Sequence, residues 1–159
     1  GPLMHVIAAK AAAFKEALSD DFKMYSKQTL LNAKAICNSL KENNFEIISG
    51  DTSCHMLLID LCNKDVTGKV AEKSLDNAGI TCNKNSIPFD NKSPFITSGI
   101  RIGTAAGTTR GFKEKEFKYI GKLISDVIDS LKKGDDEILQ TAESIRYKVL
   151  ELCNKFPLY

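Results

Sequence analysis

An arginine between branched apolar residues, bracketed by glycines, stands out in Thr97-Ser98-Gly99-Ile100-Arg101-Ile102-Gly103-Thr104-Ala105. The alternation predicts a short strand, with Ile100 and Ile102 on one face and Arg101 on the other. A guanidinium held on a rigid strand presents a planar fork of donors suited to gripping a carboxylate or phosphate. Gly99 and Gly103 fit a place where a ligand or another backbone comes close. A plainer reading of the same residues pairs Arg101 with a neighbouring Asp or Glu.

Binding groups are present elsewhere, but no complete reacting set. His5 and His55 have no Ser or Cys at motif spacing, and no Gly-x-Ser-x-Gly elbow occurs. Neither G-x-G-x-x-G after a strand nor G-x-x-x-x-G-K-[ST] is found. The five cysteines form no C-x-x-C pair, so no zinc site is expected. His55 reads as a strand-end histidine, with a ligand contact as the alternative. The stretch from Asn83 to Phe95 is polar, carries Pro88 and Pro94, and holds Phe89 and Phe95 among asparagines. Loops of this length are functional or disordered, and the aromatics favour a binding loop over a linker.

The elements that must position these groups follow from periodicity. A helix is expected over residues 2–18, with Pro2 in its first turn and Ile7, Ala11, Phe14 and Leu18 on one stripe. Its alanines at 8–13 would permit close approach of a packing partner, although an ordinary core helix is the reading preferred. Ser19-Asp20-Asp21 cap a longer helix through Phe22, Tyr25, Thr29, Ala33, Ile36 and Leu40, ended by Asn43-Asn44. Phe45–Ser49 and Met56–Leu61 read as a hairpin around Gly50-Asp51. The consecutive apolar residues 56–59 predict a strand covered on both faces. Thr67 caps a short helix with Val70, Ala71, Leu75 and Ala78 inward and Gly79 as its stop. A strand beginning at Ile80-Thr81-Cys82 precedes the long loop. Two helices close the chain: Phe117–Leu131, ended by Gly134, and one capped by Asp135-Asp136. The run Lys113-Glu114-Lys115-Glu116 reads as a solvated face.

The expected fold class is therefore α+β, a small antiparallel or mixed sheet with helices on one face. The organisation expected is a helical segment 1–44 and a small α+β domain 45–159. The other sheet face should be covered by something outside these residues. At 159 residues, a single core burying roughly 70% of the unfolded surface is feasible. A net charge of +2 with interspersed acids argues against a nucleic-acid surface, and no apolar run reaches membrane-spanning length. An odd number of cysteines without a visible signal peptide is read as reduced thiols and a cytoplasmic location.

The Arg101 stretch and its loop resemble the C-terminal domain of serine hydroxymethyltransferase. The likeness starts at Gly1-Pro2-Leu3-Met4-His5, so Gly1-Pro2 reads as native sequence rather than a tag scar. It continues through Leu58-Ile59-Asp60-Leu61, Asn83-Lys84-Asn85, Lys92-Ser93-Pro94-Phe95, Thr97–Thr104 and Arg110-Gly111-Phe112 to Lys155-Phe156-Pro157-Leu158-Tyr159. The resemblance implies the C-terminal domain of a fold-type I enzyme that uses pyridoxal 5'-phosphate to interconvert serine and glycine. Tetrahydrofolate would carry the one-carbon unit, and the parent would be a homodimer or tetramer. Arg101 matches the arginine that binds the amino-acid carboxylate. Asn85, Ser93, Pro94 and Phe95 match folate contacts, and Gly1 lies beside glycines that reach the cofactor phosphate. The Schiff-base lysine belongs upstream of the Gly-Pro segment in that family, and no His-Lys pair occurs here. A C-terminal fragment, inert alone, is the expectation. The alternatives are a stand-alone small-molecule or protein-binding module, and another enzyme of the same cofactor class.

Overall fold

The structure, a computed structural model, describes residues 1–158. Its elements run α1 (Met4–Ala17), α2 (Asp20–Glu42), β1 (Glu46–Ile47), β2 (Met56–Asp60), α3 (Gly68–Asn77), β3 (Asn83–Asn85), β4 (Gly99–Gly103), α4 (Ala105–Thr109), α5 (Glu114–Ser130) and α6 (Asp135–Asn154). The strands form one antiparallel sheet in the order β1-β2-β4-β3. This is the α+β architecture expected.

One sheet face carries the core. Ile47, Leu57, Ile59, Ile100 and Ile102 point into it, in one core cluster with Ile36 and Leu40 of α2, Leu75 of α3, and Ile124 and Ile128 of α5. The helices α2 and α5 approach so closely at Gly121 that a Cβ there would lie 2.7 Å from the Ser39 hydroxyl. That hydroxyl donates to the Lys118 carbonyl at 2.9 Å. Close helix approach thus occurs at Gly121, and not on the alanines of α1, none of whose residues is buried. The expected division at residue 44 does not coincide with a gap in packing, because α2 belongs to the same core as the sheet.

Local signals explain the helix ends. Ser19 accepts from the Phe22 amide at 3.2 Å and Thr67 from the Val70 amide at 3.3 Å, each satisfying a free first-turn donor. Gly79, at φ +80°, ends α3 while the Gly79 and Ile80 amides bond back to Asp76 and Leu75 at 2.9 and 2.8 Å. This Schellman closure uses the Ile80 amide. The strand expected from Ile80 therefore begins only at Asn83.

Other expectations are also corrected. Pro2 lies outside α1, whose N-cap is Leu3. Val70 is exposed, being one residue off the Ala71–Leu75–Ala78 stripe. The strand β2 is buried on one face only: Leu57 and Ile59 are covered, while Met56 and Leu58 are half-exposed. Gly134 is the N-cap of α6, with Asp135 and Asp136 inside its first turn. Glu114 and Glu116 are not free in solvent: they accept from the Gln28 side chain and the Lys113 amide, both at 3.0 Å. The short helix α4 was not foreseen.

Candidate functional site

The strand β4 positions Arg101 through its neighbours. Ile100 and Ile102 anchor the core face, so pleating turns Arg101 to the opposite, open face, where it is exposed. Leu58 of β2 and Asn83 of β3 stand opposite it in the two ladders. Among the described residues the guanidinium has no ion pair, so the intrasheet carboxylate partner of the plainer reading is not there. Gly99 is required by close approach, since a Cβ would lie 2.6 Å from the Ile59 carbonyl oxygen. Gly103 is not, its nearest neighbour being 3.9 Å from that point.

Arg101 and Asn85 share a cavity of about 370 Å³, walled by Asp51 and Thr52 of the β1–β2 connection and by Met56 and Leu58. Asp51 is already engaged. It pairs with Lys34 and accepts from the Thr52 amide at 2.8 Å. The Lys34 ammonium, then that amide, hold its carboxyl below the usual range. Burial beside Asp51 pushes the Cys37 thiol up. Asn85 donates its amide to the Ser86 carbonyl at 2.7 Å, which leaves the side-chain oxygen available as an acceptor.

The loop after Asn85 is closed by Asp90, a residue the sequence reading passed over. Its carboxylate accepts from the Ile87, Lys92 and Ser98 amides and the Ser98 hydroxyl, at 3.2, 2.9, 2.8 and 2.7 Å. The Lys92 amide, then the Ser98 hydroxyl, hold its carboxyl far below the usual range. An Asp after Pro-Phe in a turn-rich stretch was the available signal, since Asp side chains bond their own backbone two residues on. Ser93, Pro94 and Phe95 are exposed on this loop and do not line the Arg101 cavity. Gly1 is exposed, ahead of α1, and apart from the cavity. His55 is exposed at the start of β2; its carbonyl accepts from the Thr104 amide and hydroxyl at 2.9 and 3.0 Å.

The Arg110-Gly111-Phe112 and Lys155-Phe156-Pro157 segments, distant in the chain, meet in space. Arg110 donates to the Phe156 and Cys153 carbonyls at 2.8 and 3.1 Å, tying the C-terminal end of α6 and the residues after it to the turn that follows α4. Phe112 packs edge-on against Phe156 at 5.0 Å.

A family model described as serine hydroxymethyltransferase matches residues 1–124. The chain belongs to the serine hydroxymethyltransferase family. It is 56% identical over 160 residues to the serine hydroxymethyltransferase of Erythrobacter litoralis and 54% identical to that of Novosphingobium aromaticivorans. A probable serine hydroxymethyltransferase of Rickettsia bellii is 54% identical over 159 residues. All of this chain is covered in each comparison, but only 37–38% of each relative. The chain therefore spans little more than a third of the length of the family members it matches.

Proposed function

We propose that this chain is the substrate-gripping part of a longer serine hydroxymethyltransferase, which interconverts serine plus tetrahydrofolate and glycine plus 5,10-methylenetetrahydrofolate. Arg101 takes the α-carboxylate of the amino acid in a two-pronged, charge-assisted grip, each bond contributing about 1.5–3 kcal/mol. That grip fixes which bond at Cα faces the cofactor. Asn85 offers an amide to the folate heterocycle, Ser93 a hydroxyl, and Pro94 and Phe95 an apolar wall. The observation that carries the reading is Arg101, unpaired and exposed on an open sheet face beside Asn85, in a chain of this family.

Pyridoxal 5'-phosphate, when bound, labilises bonds at the amino-acid Cα. The described residues fit the substrate side of such a site and not the cofactor's covalent anchor, because no lysine lines the Arg101 cavity. The cofactor's hold is assigned to the remainder of the longer polypeptide, with the Gly1 backbone as its one contact from these residues. The same remainder would cover the open sheet face and the exposed apolar side chains of α1. Serine, glycine and tetrahydrofolate are the small-molecule partners, and a homodimer or tetramer in the cytoplasm is the proposed working form.

The test is an assay of the full-length polypeptide for glycine formed from serine, with and without tetrahydrofolate. Folate-dependent turnover supports the reading. Binding of amino acid or folate without turnover would point instead to the stand-alone binding module.

A further inference from the structure

We propose that Asp90 is a positioning residue: it ties the loop bearing Ser93, Pro94 and Phe95 to the root of the strand bearing Arg101. It thereby sets the folate contacts relative to the amino-acid contact. The proposal rests on the functional reading above and adds a residue that the motif pattern did not single out.

The geometry shows one carboxylate gathering three points of the loop. Oδ2 accepts from the Ile87 amide near the loop's entry, and from the Ser98 amide at its junction with β4. Oδ1 accepts from the Lys92 amide in the middle and from the Ser98 hydroxyl. Ser98 is buried and directly precedes Gly99, the first residue of β4. A second clamp acts from α3, where the Gly68 and Lys69 amides donate to the Thr97 and Ile96 carbonyls at 3.0 and 2.9 Å. Between the clamps the Ser93 carbonyl accepts from the Ile96 and Thr97 amides, leaving Ser93–Phe95 as an exposed apex. Phe89 holds a left-handed φ of 59° while fully exposed, a conformation an aromatic residue rarely adopts unaided. The adjacent Asp90 bonds hold that turn closed.

Only an anion meets this demand. Each carboxylate oxygen receives two donors, so an amide would keep one accepting oxygen and turn an NH2 toward two N–H or O–H groups. Asp90→Asn is thus nearly isosteric yet leaves at least one of the three backbone N–H donors without its acceptor.

In the full-length polypeptide, Asp90→Asn should raise the KM for tetrahydrofolate about tenfold. The dissociation constant for serine should move by less than about twofold. Hydrogen exchange at the Lys92 and Ser98 amides should quicken in parallel. An unchanged folate KM alongside faster exchange would overturn the proposal, as would equal losses of serine and folate binding, the mark of a general folding role. Should Asp90→Asn fail to fold, Ser98→Ala decides the matter. It removes the hydroxyl that donates to Asp90 and accepts a longer bond from the Lys92 ammonium at 3.4 Å, and should raise the folate KM about threefold; no change there overturns the proposal too. Failure of the functional reading is separately visible, as an unsubstituted protein that binds no folate, and it would remove the proposal with it.

Discussion

Leu58 stands directly across the β2–β4 ladder from Arg101. The position on the other side belongs to Asn83 of β3. Neither neighbour carries charge, so the guanidinium is not neutralised within its own sheet. Charge-assisted bonds contribute most when no internal carboxylate must first be displaced. Arg101→Ala in the full-length polypeptide should therefore weaken serine binding on the order of a hundredfold, while cofactor absorbance persists. Arg101→Lys should recover part of the affinity, since the charge returns without the fork. Titration of serine against the cofactor's absorbance reads both quantities; loss of the absorbance in Arg101→Ala would contradict the carboxylate role.

Gly68 and Gly103 offer a matched pair for stability. A Cβ at Gly68 would lie 2.1 Å from the Thr97 hydroxyl oxygen and 2.3 Å from the Gly99 carbonyl oxygen. One of these is backbone and cannot move aside. Gly68→Ala should cost about 1–3 kcal/mol by forcing α3 off the strand it abuts. Gly103→Ala, with 3.9 Å of room, should be close to neutral. Urea midpoints at an unchanged slope measure the difference.

The parts legible in the sequence are those decided within a few residues. Ser19, Thr67 and Gly79 mark helix ends by bonds that reach no further than five positions along the chain. Arg101 is legible for the same reason, because alternation with Ile100 and Ile102 is local. Register is not local. That Asn85 shares a cavity with Arg101 depends on β3 pairing with β4 across a loop of thirteen residues, Ser86–Ser98. The buried Asn32 was equally hidden: its amide donates to Thr108 and to the Phe112 carbonyl at 2.8 and 2.9 Å, partners about eighty positions away. Consecutive apolar residues misled at Met56–Ile59, where composition reports what a covering partner would bury and the structure holds only one covering layer.

Cys82 should react more slowly than the exposed Cys54. Burial, then the negative fields of Glu72 and Asp76, push the Cys82 thiol up to about 12. The thiolate is the reactive form, so alkylation at pH 8 should spare Cys82 while modifying the exposed Cys54. Because the folded value is raised, this thiol's contribution to stability is whole below its unfolded value near 8.5 and is lost as pH rises through the folded value. Mass mapping after timed alkylation checks the order; early modification of Cys82 would show that β3 opens readily.

Glu72 fastens β3 to α3 from the side that faces the helices. Its carboxylate accepts from the Lys84 amide at 2.9 Å and from the Lys84 ammonium at 3.3 Å. The amide is the larger cause holding this carboxyl below its ordinary value, and the ammonium adds to it. A depressed carboxylate stabilises fully above the unfolded value, about 4.3, and the effect fades as pH falls through the lower folded one. Protection of the Lys84 amide should therefore be level from pH 7 to 5 and drop below about 4. Glu72→Gln should show the reduced protection at every pH, because the amide oxygen is a weaker, uncharged acceptor. If the loss on acidification proved identical in Glu72→Gln, the titrating group would lie elsewhere and this fastening of β3 would be misassigned.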